Sequence, residues 1–181
     1  MAVTAVEVWR TEDLAPEVRR AVIDVCNEAH DTDAFERLFD RFIPSGGRHF
    51  LGRADGRLVS HAVITTRGVQ SPPGPVLRTA FVDAVATLPA FQHRGSATTI
   101  MRRLGREIDD YAVGCLQTDL VGFYERVGWE YWRGPLAGRD ENGLTFTPEQ
   151  RGVMVLRLPS TPELDLGSML TIERQPDRVW E

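Results

Sequence analysis

At 181 residues, with 42% hydrophobic and 26% charged side chains, the chain has the length and composition of one soluble globular domain spanning 1–181. Twenty-one Lys and Arg against twenty-six Asp and Glu leave a formal charge of −5, which speaks against nucleic acid or an anionic membrane as a partner and suits a small cationic one. No apolar run nears the ~20 residues of a membrane span, the N-terminus lacks a signal-peptide pattern, and Cys26 and Cys115 make neither a disulfide framework nor a metal pair, so a reduced, cytoplasmic setting is expected.

Val3 to Trp9 alternates as a first strand. Over residues 17–30, Val18, Ala21, Val22, Val25, Cys26 and Ala29 fall on one helical face, with Asp13 as the expected cap and Pro16 in the first turn. A second short helix carries Phe35, Leu38, Phe39 and Phe42 as a stripe expected in the core or a pocket wall, and Pro44-Ser45-Gly46-Gly47 ends it. Residues 48–54 and 57–66 read as strands joined by an Asp55-Gly56 turn. Gln70 to Pro75 must be loop, and Val76 to Thr87 is a longer strand stopped by Leu88-Pro89. Residues 96–111 are predicted helical, with Ala97, Ile100, Met101, Leu104, Ile108 and Tyr111 inward. Strands are expected near 113–118, 129–132 and 152–158, with a short helix at 122–127 and a tail rich in acids and prolines from Pro159. The pattern is a mixed α/β sheet. It lacks both the Gly-x-Gly-x-x-Gly dinucleotide fingerprint and the Gly-Lys-Ser/Thr phosphate loop.

The chemistry concentrates in Val82 to Ala97, VDAVATLPAFQHRGSA. A strand ends, a short loop follows, and Gln92-His93-Arg94-Gly95-Ser96-Ala97 opens an amphipathic helix. A helix's first turn presents unpaired N–H groups and the positive end of its dipole. Gly95 and Ala97 leave a phosphate room to approach the backbone, and Arg94 adds a cation. On spacing alone, a phosphate site and a plain loop ending in a Ser cap stand about equal. His30, His49 and His61 have no metal-ligand spacing, and His61 within a strand reads as a hydrogen-bonded structural histidine.

Gln92-x-x-Gly95-x-Ala97 resembles the pyrophosphate signature of GNAT-type N-acetyltransferases, and Gly122-Phe-Tyr-Glu-Arg-Val-Gly-Trp129 resembles that family's Phe-Tyr-x-x-x-Gly-Phe/Trp segment. A narrower likeness, to bacterial aminoglycoside 2′-N-acetyltransferases, is carried by Arg78 to Asp83, Tyr124 to Trp129 with Gly134-Pro135, Thr147-Pro148, Gly46-Gly47 with His49, Ser60-His61-Ala62, and the tail through Val179-Trp180.

This resemblance implies a GNAT fold, α/β or α+β by scheme, with a mixed central sheet of about seven strands and about four helices. It implies acetyl-coenzyme A as cosubstrate, without a metal. Val85 and Thr87 would pair with the pantetheine arm, a backbone N–H there would polarise the thioester carbonyl, and Gln92, His93, Arg94, Gly95, Ser96 and Ala97 would hold the pyrophosphate. Asp83 stands where the subfamily carries Glu as a base acting through water, and Tyr124 is of the type to protonate the leaving thiolate. Asp33, Asp40, Asp83, Asp177 and Trp180 are the candidate acceptor contacts, the tail of 160–181 packing near the acceptor. The implied acceptor is a small amine, an aminoglycoside 2′-amine foremost. Another small amine, a peptide, or a non-catalytic acetyl-coenzyme A-binding module are the alternatives, and a homodimer is an expectation of the subfamily. Three departures point to an altered acceptor pocket: Glu149-Gln150-Arg151 replaces a run of acids, Arg178 replaces an acid before Val179-Trp180, and Glu181 extends past the usual end.

Overall fold

In a computed structural model that describes residues 3–176 and 178–180, apart from the Phe42 side chain, the strands and helices group into two compact units. Residues 1–65 and 82–106 form the first and residues 66–81 and 107–181 the second.

The first unit begins with strand β1 (Ala5–Arg10), helix α1 (Pro16–His30) and helix α2 (Phe35–Phe42). Strands β2 (Arg48–Ala54), β3 (Arg57–Gln70) and β4 (Val76–Thr87) follow, the last two running on into the second unit, and helix α3 (Ser96–Arg106) completes it. β1 pairs antiparallel with β2, and β2 with β3. Asp55 and Gly56, at φ 51° and 78°, join β2 to β3 with two left-handed residues, as an Asp-Gly hairpin turn requires. Val22, Ile23, Val25, Cys26, Phe35, Phe39, Leu51, Val59, Val63, Ala86 and Leu88 make one core. Gly52 lets α3 close on the sheet, since a Cβ there would sit 3.0 Å from the Ile100 side chain.

Local details depart from the sequence-based expectation. Asp13 does not cap α1: Ala15 is its N-cap, with Pro16 at the first position, and Asp13 lies in a preceding 3-10 turn. In the second helix Phe35 and Phe39 are buried but Leu38 is 36% exposed. Helix α3 stops at Arg106, and Ile108 and Tyr111 reach their core from the turn beyond it.

The second unit adds strand β5 (Val113–Gln117), helix α4 (Val121–Glu125), strands β6 (Glu130–Tyr131), β7 (Leu136–Asp140), β8 (Gly143–Phe146), β9 (Val153–Arg157) and β10 (Leu170–Glu173). Its strand order is β6-β9-β5-β4-β3-β10-β7-β8. β10 runs parallel to β7 and antiparallel to β3, so the sheet is mixed. The core holds Val69, Phe81, Val113, Cys115, Trp132, Val153, Val155, Ile172 and Trp180. Strands β7, β8 and β10 bring the described total to ten, against about seven expected, and residues 170–173 of the tail form a strand inside the sheet, between β3 and β7. No helix among the described residues is long and apolar enough to cross a membrane.

Candidate active site

In the first unit, three consecutive residues of β3 grip the C-terminal half of β4. Val59 accepts the Leu88 N–H at 2.9 Å through its carbonyl. The Ser60 hydroxyl donates to the Ala86 carbonyl at 2.8 Å and lies 2.7 Å from the Thr87 hydroxyl. With its one hydrogen spent on Ala86, Ser60 must accept from Thr87. His61 Nδ1 lies 2.9 Å from the Ala84 carbonyl. Ala84 stands at φ 50°, a left-handed alanine inside a strand, a strained geometry that neighbours must hold in place. Asp83 and Val85 flank it, half-buried like Ala84, and Thr87 is 9% exposed.

Beyond β4, Leu88-Pro89 breaks the ladder and a 3-10 turn (Pro89–Phe91) leads into residues 92–95. His93 at φ 57° and Gly95 at φ 82° place two left-handed residues around Arg94. Such a turn converges backbone N–H groups on a concave face, and the 11-residue helix α3 adds its positive end. The side chains of the turn hold its shape: Gln92 Nε2 donates to the Thr87 carbonyl at 3.1 Å, and the Ser96 hydroxyl donates to the Phe91 carbonyl at 3.2 Å. Gln92, His93, Arg94 and Gly95 are exposed, Ala97 is half-buried and Ser96 is buried. A Cβ on Gly95 would meet no atom within 4 Å, so the cradle is open. An exposed, donor-rich, acid-free turn fits the diphosphate of a coenzyme.

In the same unit, Asp33 joins Asp24, Glu28, Asp31, Asn27 and Thr32 around a cleft of about 620 Å³. Of its four carboxylates Asp24 already pairs with Arg20 at 3.0 Å, and Glu28, Asp31 and Asp33 favour a cationic visitor. Asp40 instead pairs with Arg19 at 2.7 Å, its charge already met by a neighbour.

In the second unit, α4 carries Tyr124, buried against Phe123 at 4.9 Å and Trp129 at 6.2 Å between ring centres, both edge-on. The Tyr124 carbonyl accepts the Trp129 N–H at 3.1 Å, which closes the Tyr-x-x-x-Gly-Trp segment into a turn. Burial pushes the phenol up to about 12, so it stays protonated and can act as a donor. Trp180 is 1% exposed and belongs to the core, which makes its ring a packing element. Asp177 and Glu181 lie outside the described residues. Of the two arginines that depart from the subfamily, Arg178 is folded inward, its Nε 2.7 Å from Gln175 Oε1 and its guanidinium over the Phe81 ring. Arg151 donates to the Pro148 and Gln150 carbonyls of its own loop and lines a cleft with Gln117, Asp119 and Thr147.

Residues 11–132 match a family described as the acetyltransferase (GNAT) domain. The chain belongs to the GNAT acetyltransferase family. This N-acetyltransferase is 30% identical over 176 residues to the aminoglycoside 2′-N-acetyltransferase of Mycolicibacterium fortuitum, covering 94% of this chain and 89% of that one. Its fold is similar to that of the Escherichia coli GNAT protein YhbS solved in complex with CoA, at a TM-score of 0.65 and 15% identity, over 99% of this chain and 96% of that one. It is also similar to a Brucella melitensis GNAT acetyltransferase solved with acetyl-CoA, at a TM-score of 0.60 and 15% identity, over 94% and 96% of the two chains. Some related structures are longer: the acetyltransferase spans 33% of a probable N-acyltransferase from Enterococcus faecalis, matched over 71% of its own length at a TM-score of 0.59 and 19% identity.

Of the expected pyrophosphate contacts Gln92, His93, Arg94, Gly95, Ser96 and Ala97, two, Gln92 and Ser96, spend their side chains shaping the turn. Sequence reasoning missed the hold of Val59 and Ser60 on the end of β4 and the contact of His49 with His61. The available signal was the pairing of β2 with β3, which sets His49 opposite Val63 and Leu51 opposite His61, diagonal neighbours on one face.

Proposed function

We propose that the acetyltransferase moves the acetyl group of acetyl-coenzyme A directly to a primary amine of a small cationic acceptor, an aminoglycoside 2′-amine foremost. The observation that carries this reading is the open turn around left-handed His93 and Gly95, at the junction of β4 and α3. Backbone N–H groups of residues 93–97, with Arg94, bind the diphosphate, and the backbone at Val85 and Thr87 pairs with the pantetheine arm.

An alkylamine has a pKa near ~10, so a proton must leave before it attacks. Asp83 takes that proton, through water if the shorter Asp requires it. The amine nitrogen then bonds to the acetyl carbon, the C–S bond breaks, and Tyr124, whose buried phenol is protonated at neutral pH, gives its proton to the departing thiolate and is reprotonated from solvent. Neither Cys26 nor Cys115 is needed, and both are buried. Identity over nearly the whole length with an aminoglycoside 2′-N-acetyltransferase supports the acceptor class, as does the cleft around Asp24, Glu28, Asp31 and Asp33. Arg151 favours a second reading, a small amine less highly charged than an aminoglycoside.

The test is thiol release from acetyl-coenzyme A with a panel running from monoamines and polyamines to aminoglycosides, with mass detection of the product. Asp33→Asn should raise the acceptor KM about threefold to tenfold for polycations and leave the KM for acetyl-coenzyme A unchanged. Tight coenzyme binding without turnover on any amine would instead establish a binding module.

A further inference from the structure

Behind β4, in the first unit, lies a buried relay that the reaction described above does not use. His49 and His61 are both fully buried, their rings 5.2 Å apart, with His49 Nδ1 3.0 Å from His61 Nε2. Thr11 Oγ1 is 3.2 Å from His49 Nε2, and His61 Nδ1 is 2.9 Å from the Ala84 carbonyl. Cys26 Sγ, from α1, lies 3.6 Å from the same His61 nitrogen, and Phe39, from α2, stacks on His49 at 5.6 Å.

The proton order follows from one end. A carbonyl only accepts, so His61 Nδ1 carries hydrogen. In a neutral ring Nε2 is then bare and accepts from His49 Nδ1–H, which leaves His49 Nε2 bare to accept the single hydroxyl hydrogen of Thr11, taken from the Gly47 carbonyl that lies 3.3 Å from the same oxygen. Every nitrogen of the pair is satisfied in this single arrangement. Burial holds both rings neutral, drawing His49 down to about 4 and His61 to about 3, and raises the Cys26 thiol.

The end of the relay falls on the left-handed residue of β4. In a trans peptide the C=O and the following N–H point in opposite directions. Holding the Ala84 carbonyl toward His61 therefore aims the Val85 N–H away from it. We infer that His61, oriented by His49 and Thr11, is a positioning residue that fixes the Ala84–Val85 peptide so that the Val85 N–H meets the carbonyl oxygen of the acetyl thioester. This inference rests on the acetyl-transfer reading above and assigns a purpose to the pair beyond packing.

The test uses acetyl-coenzyme A labelled with ¹³C at the thioester carbonyl. In the wild-type complex that resonance should move downfield, as a hydrogen-bonded carbonyl does. His61→Leu should return it toward the free value and lower kcat about tenfold to hundredfold, with the KM for acetyl-coenzyme A within about threefold. His61→Asn, whose Nδ2 can replace Nδ1 as donor to Ala84, should recover most of both. His49→Leu provides a separate arm if His61→Leu does not fold: it strips His61 Nε2 of its donor and loosens the ring, so the His61 Nε2 ¹⁵N resonance should move from its wild-type value, with part of the kcat loss. A carbonyl resonance and kcat that stay at wild-type values in folded His61→Leu or His49→Leu would overturn the inference and leave acetyl transfer standing. The inference falls equally if His61→Asn is no better than His61→Leu. Wild-type protein that binds no acetyl-coenzyme A would take down both readings.

Discussion

Gln92 donates from Nε2 to the carbonyl of Thr87 at 3.1 Å, tying the first residue of the turn proposed for the diphosphate to the last residue of β4. The bond closes over the four residues between them and makes the strand end and the turn one mechanical piece. Gln92→Ala removes it without touching the backbone donors of 93–97. A part-exposed hydrogen bond contributes about 1 kcal/mol, so affinity for coenzyme A should fall about fivefold by calorimetric titration. An unchanged affinity would show that the turn holds its shape without Gln92.

Gly95 separates two effects that are usually entangled. Its φ of 82° strains any side chain, yet a methyl there would touch no protein atom within 4 Å. Gly95→Ala should therefore cost only about 1 kcal/mol of stability, a fall in Tm of roughly 2–4 °C. Coenzyme affinity should drop further, about tenfold or more, because the methyl would occupy the space proposed for the diphosphate. Arg94→Ala should lower affinity by a similar factor and flatten its dependence on salt.

Tyr124 gives a prediction with a sign. Burial raises its phenol from the ordinary 10.0 to about 12, so the folded protein binds the proton more tightly than the unfolded chain. Its contribution to stability is complete below pH 10 and is lost as pH rises from about 10 toward 12. Tyr124→Phe should lose that high-pH slope, lower kcat about hundredfold and leave coenzyme affinity unchanged. A variant as active as wild type would remove Tyr124 from the proton-donor role.

The buried histidine pair runs the other way. With folded values near 4 for His49 and 3 for His61, against 6.5 in the unfolded chain, the unfolded state binds more protons as pH falls below 6.5. The stability they confer is complete above pH 6.5 and is lost on acidification through about pH 4, roughly 3 kcal/mol for His49 alone. Tm should fall steadily from about pH 7 to pH 4.5, and less steeply in His49→Leu. A flat profile would mean that the pair is not neutral in the folded state.

The strand–turn–helix from Val76 to Arg106 was legible because its punctuation is local: Pro89 stops the strand, and Gly95 permits the left-handed turn. The Asp55-Gly56 hairpin was legible for the same reason. Strand β8 was not, since its alternation is only Leu144 and Phe146 in four residues, too short to stand out, and no burial supports it. Strand β10 lies in an acid- and proline-rich tail, and its extended state comes from its partners β3 and β7, remote in sequence. Trp180 shows the same limit: the resemblance marked it as a possible acceptor contact, whereas packing against residues distant in the chain buries it. The ties of Ser60 and His61 to β4 were likewise hidden, because register, which brings side chains twenty or more residues apart into contact, is a tertiary property.

A crystal structure with acetyl-coenzyme A bound is the sharpest check on the turn at Gly95 as the coenzyme's seat. The diphosphate should lie against the backbone N–H groups of residues 93–97, with the thioester beside Val85. A diphosphate seated elsewhere, or no coenzyme bound at saturating concentration, would contradict that assignment.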